Sequence, residues 1–453
     1  MKIKHTLITI LLLGCGLLQG YAQQAPAPQL NFSLQDCINY AYQHQDSVIN
    51  AGLDVKSADY KVKETIGQGL PQVSGSASFQ DYLKPPATVG PNIFVTPISL
   101  SAPLVQFPFG AVKYNNSFSL SASQLLFSGT FLVGLQAVKA YKELSQRSLT
   151  RTRIEANVAV TKAYYQVLVS NEQIKLLDAN ITQLKQQLDQ TTQQNKQGFV
   201  EKIDVDRLTV QYNNLVTNRE NTMRSLILNY EMLKFQMGMP ILQEMYLTDK
   251  LENIQLDKNI AETSVDTTVY RSRIEYSLLE TNIKLNELNA KAKKAEFLPT
   301  FTANGGFGEV YQENQFKYLY DHIYPNSFIG VTLNIPIFSG GQRINQLRQL
   351  NIATQKSRND LYDAKNALSL QASSANITFY NSLQSLNTQK SSRELAAEVL
   401  HVATIKYQQG VGSSLEVTQA ETDFETADNN YIQALYNALI SKVDLDKAYG
   451  RIK

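Results

Sequence analysis

Residues 329–341 read IGVTLNIPIFSGG and join two kinds of pattern. Up to Ile337, apolar residues alternate with small or polar ones, which is typical of a strand with one buried face. After Phe338-Ser339-Gly340-Gly341, neither glycine nor proline occurs until Gly410. Such a run permits a helix of about 100 Å at about 1.5 Å per residue. The stretch therefore predicts a strand that leads into a helix far longer than those of compact domains.

The same arrangement occurs once more, earlier in the chain. Phe127-Ser128-Gly129 precedes residues 135–197, which also lack glycine and proline. Glycines recur at matched positions, since 198 to 410 and 238 to 450 are both steps of 212 residues. An internal duplication of this length predicts one order of elements used twice: helix, two strands, long helix, helix.

Two β-hairpins are predicted, 71–127 and 299–338, which begin after Leu70-Pro71 and Leu298-Pro299. Their strands place apolar residues on one face and serine, threonine or glycine on the other. This pattern is typical of membrane barrels, with a soluble sheet as the alternative. The loop of the first hairpin is expected outside the sheet, because its prolines lack the N–H that a strand ladder needs. These prolines are Pro85, Pro86, Pro91, Pro97, Pro103 and Pro108.

The long runs carry apolar residues at steps of three and four, which predicts coiled-coil packing between neighbouring helices. In the first half these residues are Ile174, Leu177, Ile181, Leu184 and Leu188, then Leu208, Tyr212, Leu215, Leu226 and Leu233. In the second half they are Ala420, Phe424, Ala427, Tyr431, Ala434, Ala438, Ser441 and Leu445. Taken alone, the pattern favours a soluble coiled coil.

Each half is also expected to open with a helix. Ser33 and Asp36 have the spacing of a capping box, which predicts a helix from there to about Gly67. Its counterpart in the second half is predicted from about Val265 to Phe297.

The N-terminus has the features of a secretory signal peptide over residues 1–22. Lys2 and Lys4 precede an apolar core, and Gly20-Tyr21-Ala22 provides a cleavage site. Two alternatives remain open: an uncleaved membrane anchor, and lipidation at Cys15. If Cys15 leaves with the signal peptide, Cys37 is the one cysteine left, so no internal disulfide and no cysteine metal site is expected.

Composition and motifs argue against several classes of function. The 42 basic residues nearly balance the 40 acidic ones, so no nucleic-acid partner is expected. The sequence contains no phosphate-binding Gly-x-x-x-x-Gly-Lys-[Ser/Thr] loop, and its four histidines show no ligand spacing. We therefore expect no catalytic residues, no metal and no cofactor.

These patterns predict an α+β membrane protein. Four strands are too few to close a barrel, for which about eight are needed, and lipid does not tolerate open strand edges. The chain is therefore expected to share a barrel with other copies. The predicted organisation is a signal peptide (1–22), a first repeat (23–238), a linker (239–264) and a second repeat (265–453). The helix turns, or tips, lie near residues 198 and 410.

From Leu34 to Gly450 the chain resembles TolC-type outer-membrane efflux proteins. The resemblance rests on the Leu-Pro and Phe-Ser-Gly boundaries of both hairpins and on two tip segments. These segments are Gln197-Gly198-Phe199-Val200 with Asp204-Val205, and Tyr407-Gln408-Gln409-Gly410-Val411 with Glu416-Val417. It implies a homotrimer in the outer membrane of a Gram-negative bacterium. Each chain would give four strands to a twelve-stranded β-barrel and long helices to a periplasmic α-barrel.

The resemblance also implies roles for the tips. Gly198, Phe199, Val200, Gly410, Val411 and Gly412 would form the docking surface for a periplasmic adaptor. The candidate gate residues are Glu416 and Gln419 in the second half and Asp204 and Arg207 in the first. Some relatives hold the gate shut with a basic residue at the position of Gly412, and this chain lacks that residue.

Two functions follow from these observations. The first is a passive trimeric exit duct of a tripartite efflux or type I secretion system, with outer-membrane lipid around it. A periplasmic adaptor and an inner-membrane pump of the RND or ABC type would open it. The second is a periplasmic coiled-coil scaffold without a pore, which would have no use for four alternating strands.

Overall fold

The computed structural model describes residues 31–85, 88–91, 104–107, 112–251 and 268–452. The predicted signal peptide, Cys15, Pro86, Pro97, Pro103, Pro108 and the linker beyond Leu251 lie outside these residues.

Helices and strands follow one another in a similar order in both halves. The first half contains β1 (Asn31–Phe32), α1 (Leu34–His44), α2 (Asp46–Gly67), β2 (Gln72–Asp81), β3 (Thr88–Pro91), β4 (Leu104–Phe107), β5 (Tyr114–Phe127), α3 (Gly129–Lys196) and α4 (Lys202–Met237). After β6 (Tyr246–Leu247), the second half contains a short 3-10 helix (Val269–Ser272), α5 (Ile274–Ala295), β7 (Thr300–Glu313), a 3-10 helix (Phe316–Tyr318), β8 (Tyr324–Asn334), α6 (Gln342–Gln408) and α7 (Ser414–Ala448).

The main sheet has four antiparallel strands in the order β2-β5-β7-β8. Its two outer strands, β2 and β8, each pair on one side alone among the described residues. The described part of the long loop of the first hairpin lies outside this sheet, as predicted, and its β3 and β4, which include Pro91, pair with each other. β8 ends at Asn334, short of the predicted Ile337. Pro336 has no N–H to donate to a ladder.

The two faces of the sheet differ in chemistry. On one face, three serine pairs join β2 to β5 by hydroxyl hydrogen bonds of 2.7 to 2.8 Å: Ser74–Ser121, Ser76–Ser119 and Ser78–Ser117. On the other face, Leu120 lies opposite Phe307, and Gly305 lies opposite Ile329. Ile329 is 93% exposed, so this apolar face is uncovered in the isolated chain.

Both opening helices are interrupted, which the sequence did not predict. The predicted capping box at Ser33 and Asp36 is confirmed, but the helix breaks at Gln45 into α1 and α2. A Cβ on Gly238, the left-handed residue that ends α4, would lie 2.5 Å from the His44 carbonyl oxygen. In the second half the break falls at Arg273, and a Cβ on Gly450 would lie 2.6 Å from the Ser272 carbonyl oxygen. Each break lies where a glycine turn approaches the backbone too closely for a side chain.

The chain divides into two compact units. The first comprises Met1–Asp46, Ala156–Ile260 and Phe379–Val443. Its largest core packs α1 against α3 and α4 through Cys37, Ala41, Tyr164, Leu233 and Met237. The parallel pair β1–β6 closes this core, and the Asp249 carboxylate accepts hydrogen bonds from the Leu34 N–H (3.0 Å) and the Tyr164 hydroxyl (2.8 Å).

The second unit comprises Ser47–Glu155, Ala261–Thr378 and Asp444–Lys453, and it holds the four-stranded sheet. Its helices are joined by exposed ion pairs such as Lys142–Asp59 (2.6 Å) and Arg358–Glu287 (2.7 Å). Arg273 is buried and forms two hydrogen bonds, of 2.9 and 3.0 Å, with the Glu275 carboxylate. Among the described helices, none is both long and apolar enough to cross a membrane.

Candidate functional site at the helix tips

The two tips are closed by the same backbone motif. Gly198 and Gly410 adopt left-handed φ values of 80° and 74°. In the first tip, the Gly198 N–H donates to the Asn195 carbonyl, and the next N–H, of Phe199, donates to the Gln194 carbonyl, both at 2.9 Å. In the second tip, the N–H groups of Gly410 and Val411 bond to the matching carbonyls at 3.0 Å. This arrangement satisfies the last helix carbonyls and requires glycine at the left-handed position.

Two residues further along, the tips diverge. The Asn195 side-chain amide donates to the Val200 carbonyl at 2.8 Å, so a side chain fixes the first loop. In the second tip, the Gly412 N–H donates to the Lys406 carbonyl at 3.1 Å. A Cβ at Gly412 would lie 2.9 Å from Lys406 Cβ and 3.0 Å from the Tyr407 nitrogen. The second loop therefore has no room for a side chain at position 412.

Both tips expose apolar side chains. Phe199 and Val411 are 77% and 78% exposed, and Ile203 and Leu415, one helical turn later, are also exposed. We call these four residues the tip apolar patch. Phe199 and Val411 were expected from the sequence, whereas Ile203 and Leu415 were not, although they too lie 212 positions apart (203 to 415).

Asp204 and Arg207 lie against the second helix pair. The Ser414 hydroxyl donates to the Asp204 carboxylate, and Arg207 Nη1 lies 3.6 Å from Asp204 Oδ1 and 3.4 Å from Ser414 Oγ. The Asp204 side chain is 16% exposed, so this contact is largely shielded from solvent. Burial, with a further effect of the Asp204 charge, raises the pKa of the neighbouring Tyr407 hydroxyl. Ser414 was not singled out from the sequence, because no local pattern marks it.

Glu416 and Gln419 lie in a different place. Both are exposed on α7 and line a groove of about 530 Å³ between α6 and α7. The Gln419 amide donates to the Asp423 carboxylate at 2.9 Å, and Lys406 lines the same groove from α6. The four candidate gate residues thus form two separate groups, one between the helix pairs and one on the open face of the second pair.

Each helix pair has an apolar seam, with polar contacts beside it such as the Arg219–Asp178 ion pair (2.8 Å) between α4 and α3. The predicted seam of the first pair is confirmed, since Leu177 and Leu184 of α3 pack against Leu208 and Leu215 of α4. In the second pair, Leu400 of α6 packs against Val417 and Ala420 of α7. Each pair is therefore a coiled coil held by its own apolar seam.

Contacts between the two pairs near the tips are polar. Beyond the Asp204–Ser414 contact, the Gln211 amide donates to the Thr418 carbonyl at 3.1 Å. Farther from the tips, the buried Asp428 of α7 accepts a hydrogen bond from Asn180 of α3 at 3.1 Å, and it also forms an ion pair with Arg393 of α6 within its own helix pair. We call the α4–α7 contacts through Asp204, Arg207, Gln211, Ser414 and Thr418 the polar seam. Farther still, α3 and α7 meet through an apolar cluster that includes Val169, Ile432 and Leu439.

Comparisons with known proteins agree with this architecture. A family described as "Outer membrane efflux protein" matches residues 37–226 and 277–451. The chain is 21% identical to the outer membrane protein TolC of Vibrio cholerae over 343 residues, which cover 74% of this chain and 77% of that protein.

Solved structures give the same result. The structure of CusC superposes with a TM-score of 0.73 at 16% identity and covers 95% of each chain. The structure of VceC, an outer membrane protein of Vibrio cholerae, gives a TM-score of 0.69 at 18% identity over 92% of this chain and 96% of that one. Because the family match spans most of the chain, this protein belongs to the outer membrane efflux proteins of Gram-negative bacteria.

Proposed function

We propose that three copies of this chain form a passive exit duct of a tripartite efflux or type I secretion system. The observation that carries the proposal is the four-stranded sheet, whose outer strands β2 and β8 have no partner on their outer side among the described residues and whose apolar face is uncovered. Lipid cannot satisfy the backbone groups of an open edge. β8 of one chain must then pair with β2 of the next, and three chains would close a barrel of a size that side chains alone do not fill.

The faces of the sheet set its orientation in this barrel. Residues such as Ile329 and Phe307 would contact outer-membrane lipid, whereas the serine pairs would line a wet lumen. The scaffold without a pore is disfavoured by the same residues. In water, a scaffold would leave this apolar face exposed at a cost of about 25 cal/mol per Å².

The difference between the apolar seam within each helix pair and the polar seam between the pairs indicates how the gate opens. Separating two helices of one pair would expose leucines, whereas separating the pairs along the polar seam exchanges protein hydrogen bonds for bonds to water. A protein hydrogen bond has a net value of only about 1 kcal/mol. Opening therefore proceeds by movement of whole helix pairs, and the apolar cluster of Val169 and Ile432 acts as the pivot. Asp204, Arg207 and Ser414 hold the closed state, while Glu416 and Gln419 face the duct.

The helix tips bind the other proteins of the assembly. The tip apolar patch is a docking surface for the helices of a periplasmic adaptor, which bury exposed apolar side chains on binding. An inner-membrane pump of the RND or ABC type would supply the energy, because the duct itself is passive.

Cysteine cross-linking tests the trimeric barrel. Ser76→Cys in β2 is combined in turn with cysteines at Asn326, Phe328 and Gly330 of β8, and oxidised cells are analysed on non-reducing gels. We expect at least one combination to give dimeric and trimeric bands. The native Cys37 does not interfere, because burial raises the pKa of its thiol to about 12 and keeps it protonated.

The matched control uses Ser76→Cys with Ser119→Cys, two residues that lie opposite each other within one chain. This pair should form a disulfide that leaves the mobility monomeric. If every β2–β8 combination stays monomeric while the control pair is oxidised, and the protein fractionates away from membranes, the duct is refuted and the scaffold is favoured.

A further inference from the structure

We infer that Glu421 of α7 is a proton-binding site that stabilises the closed contact between the two helix pairs. This inference rests on the proposed function, since it names a regulator of the same gate. Glu421 follows Ser414 by two helical turns and lies beside the polar seam, on the first unit of the chain.

Glu421 lines a cavity of about 170 Å³ where α3, α4, α6 and α7 meet. Its Oε2 atom is buried and forms no hydrogen bond, and the same holds for Oε1 of Gln211, which lines the cavity from α4. Both orphan atoms are acceptors when the carboxyl is ionised. Protonation turns Glu421 into a donor, which is the simplest way for the carboxyl to satisfy such surroundings.

The walls of the cavity provide no compensating charge. α3 and α4 contribute amides and leucines, α6 contributes Leu400, and the other titratable group among the described lining residues is Glu425, also on α7. No lysine, arginine or histidine is among these lining residues. Burial alone therefore raises the pKa of Glu421 to about 7.

The sign of the effect follows from linkage. Below about pH 7 the carboxyl is neutral and the closed contact is intact; above it, the closed state confines a charge without a counterion. Separation of the helix pairs hydrates that charge and returns the pKa toward the ordinary glutamate value of 4.5. Rising pH therefore favours opening, by up to roughly 300-fold in the ratio of open to closed states.

The test uses the full-length trimer and two readouts. Infrared difference spectra, recorded on either side of about pH 7, report the C=O band of a protonated carboxyl in wild type, Glu421→Gln and Glu425→Gln. We expect a carboxyl that titrates near neutral pH in wild type and Glu425→Gln and is missing in Glu421→Gln. Planar-bilayer conductance should rise with pH in the same two proteins and stay low in Glu421→Gln.

The two readouts separate this inference from the proposed function. If the band titrates in the ordinary carboxyl range, or persists in Glu421→Gln, the proton site is refuted whether or not the protein conducts. If the band behaves as expected but conductance does not depend on pH, the link to the gate is refuted. A protein that never conducts, despite the expected band, contradicts the duct itself.

Discussion

The first and second tips share a backbone turn and exposed apolar residues, but they differ in how the loop is held and in where their polar side chains lie. Both end a long helix at a left-handed glycine with the same pair of carbonyl contacts. The first loop is then held by the Asn195 side chain, whereas the second is held by close backbone approach at Gly412. The first tip reaches across to Ser414, and the second turns Glu416 toward an open groove.

The duplicated tips serve two roles: the turn between two helices and the contact between the helix pairs. Turn geometry is needed twice, and the glycines that provide it are retained at the same spacing. The contact between helix pairs is needed once in each protomer, so the two halves can supply complementary partners. Asp204 of the first half is the acceptor and Ser414 of the second half is the donor.

Gly412→Arg should have the largest effect, because it distorts the backbone of the second tip loop. The Cβ of any residue there overlaps Lys406 Cβ and the Tyr407 nitrogen, so the loop must shift, at a cost of about 1–3 kcal/mol. We expect roughly tenfold to hundredfold faster hydrogen exchange of amides 406–412 and reduced efflux in a complemented deletion strain.

Val200→Arg is the matched variant at the equivalent position of the first tip, where surface substitutions stay within about 0.5 kcal/mol. Gly412→Ala separates the overlap of Cβ from the added charge and should give most of the Gly412→Arg effect. Equal exchange in all three variants would mean that the second loop has the same tolerance as the first.

Asp204→Ala should have an intermediate effect, because it destabilises the closed state of the duct. It removes the acceptor of the Ser414 hydroxyl and the partner of Arg207, so one link of the polar seam is lost. Loss of a charged hydrogen bond of about 1.5–3 kcal/mol should raise the leak conductance in planar bilayers at least about tenfold.

Asp206→Ala serves as the control, since Asp206 lies on the same helical turn but is exposed. Its conductance should match wild type. A leak of equal size in both variants would attribute the effect to net charge at the tip and not to the contact with Ser414.

The sequence predicted those features that rest on local patterns. The capping box at Ser33, the seam of Leu177 and Leu184, and the strands after each Leu-Pro pair all follow from spacing. The features that the sequence did not predict depend on contacts between segments that are far apart in the chain. The break at Gln45 reflects the approach of Gly238, and the role of Ser414 reflects Asp204, some 210 positions away. In the sequence, Glu421 resembles any carboxylate on a helix surface. Its burial depends on the packing of four helices around it.

Glu416→Ala should have the smallest effect, and it tests whether the exposed carboxylate of the second tip sets the ion preference of the duct. Glu416 is exposed, so its field is screened within about 10 Å at 0.1 M salt. We expect cation preference to fall about twofold at low salt and to match wild type near 1 M salt. Gln419→Glu adds a carboxylate one turn away and should raise the preference by a similar factor. Because neither change touches the polar seam, the leak should stay at the wild-type value, in contrast to Asp204→Ala. A leak in Glu416→Ala as large as in Asp204→Ala would show that both tips hold the gate and that the division of tasks between them is wrong.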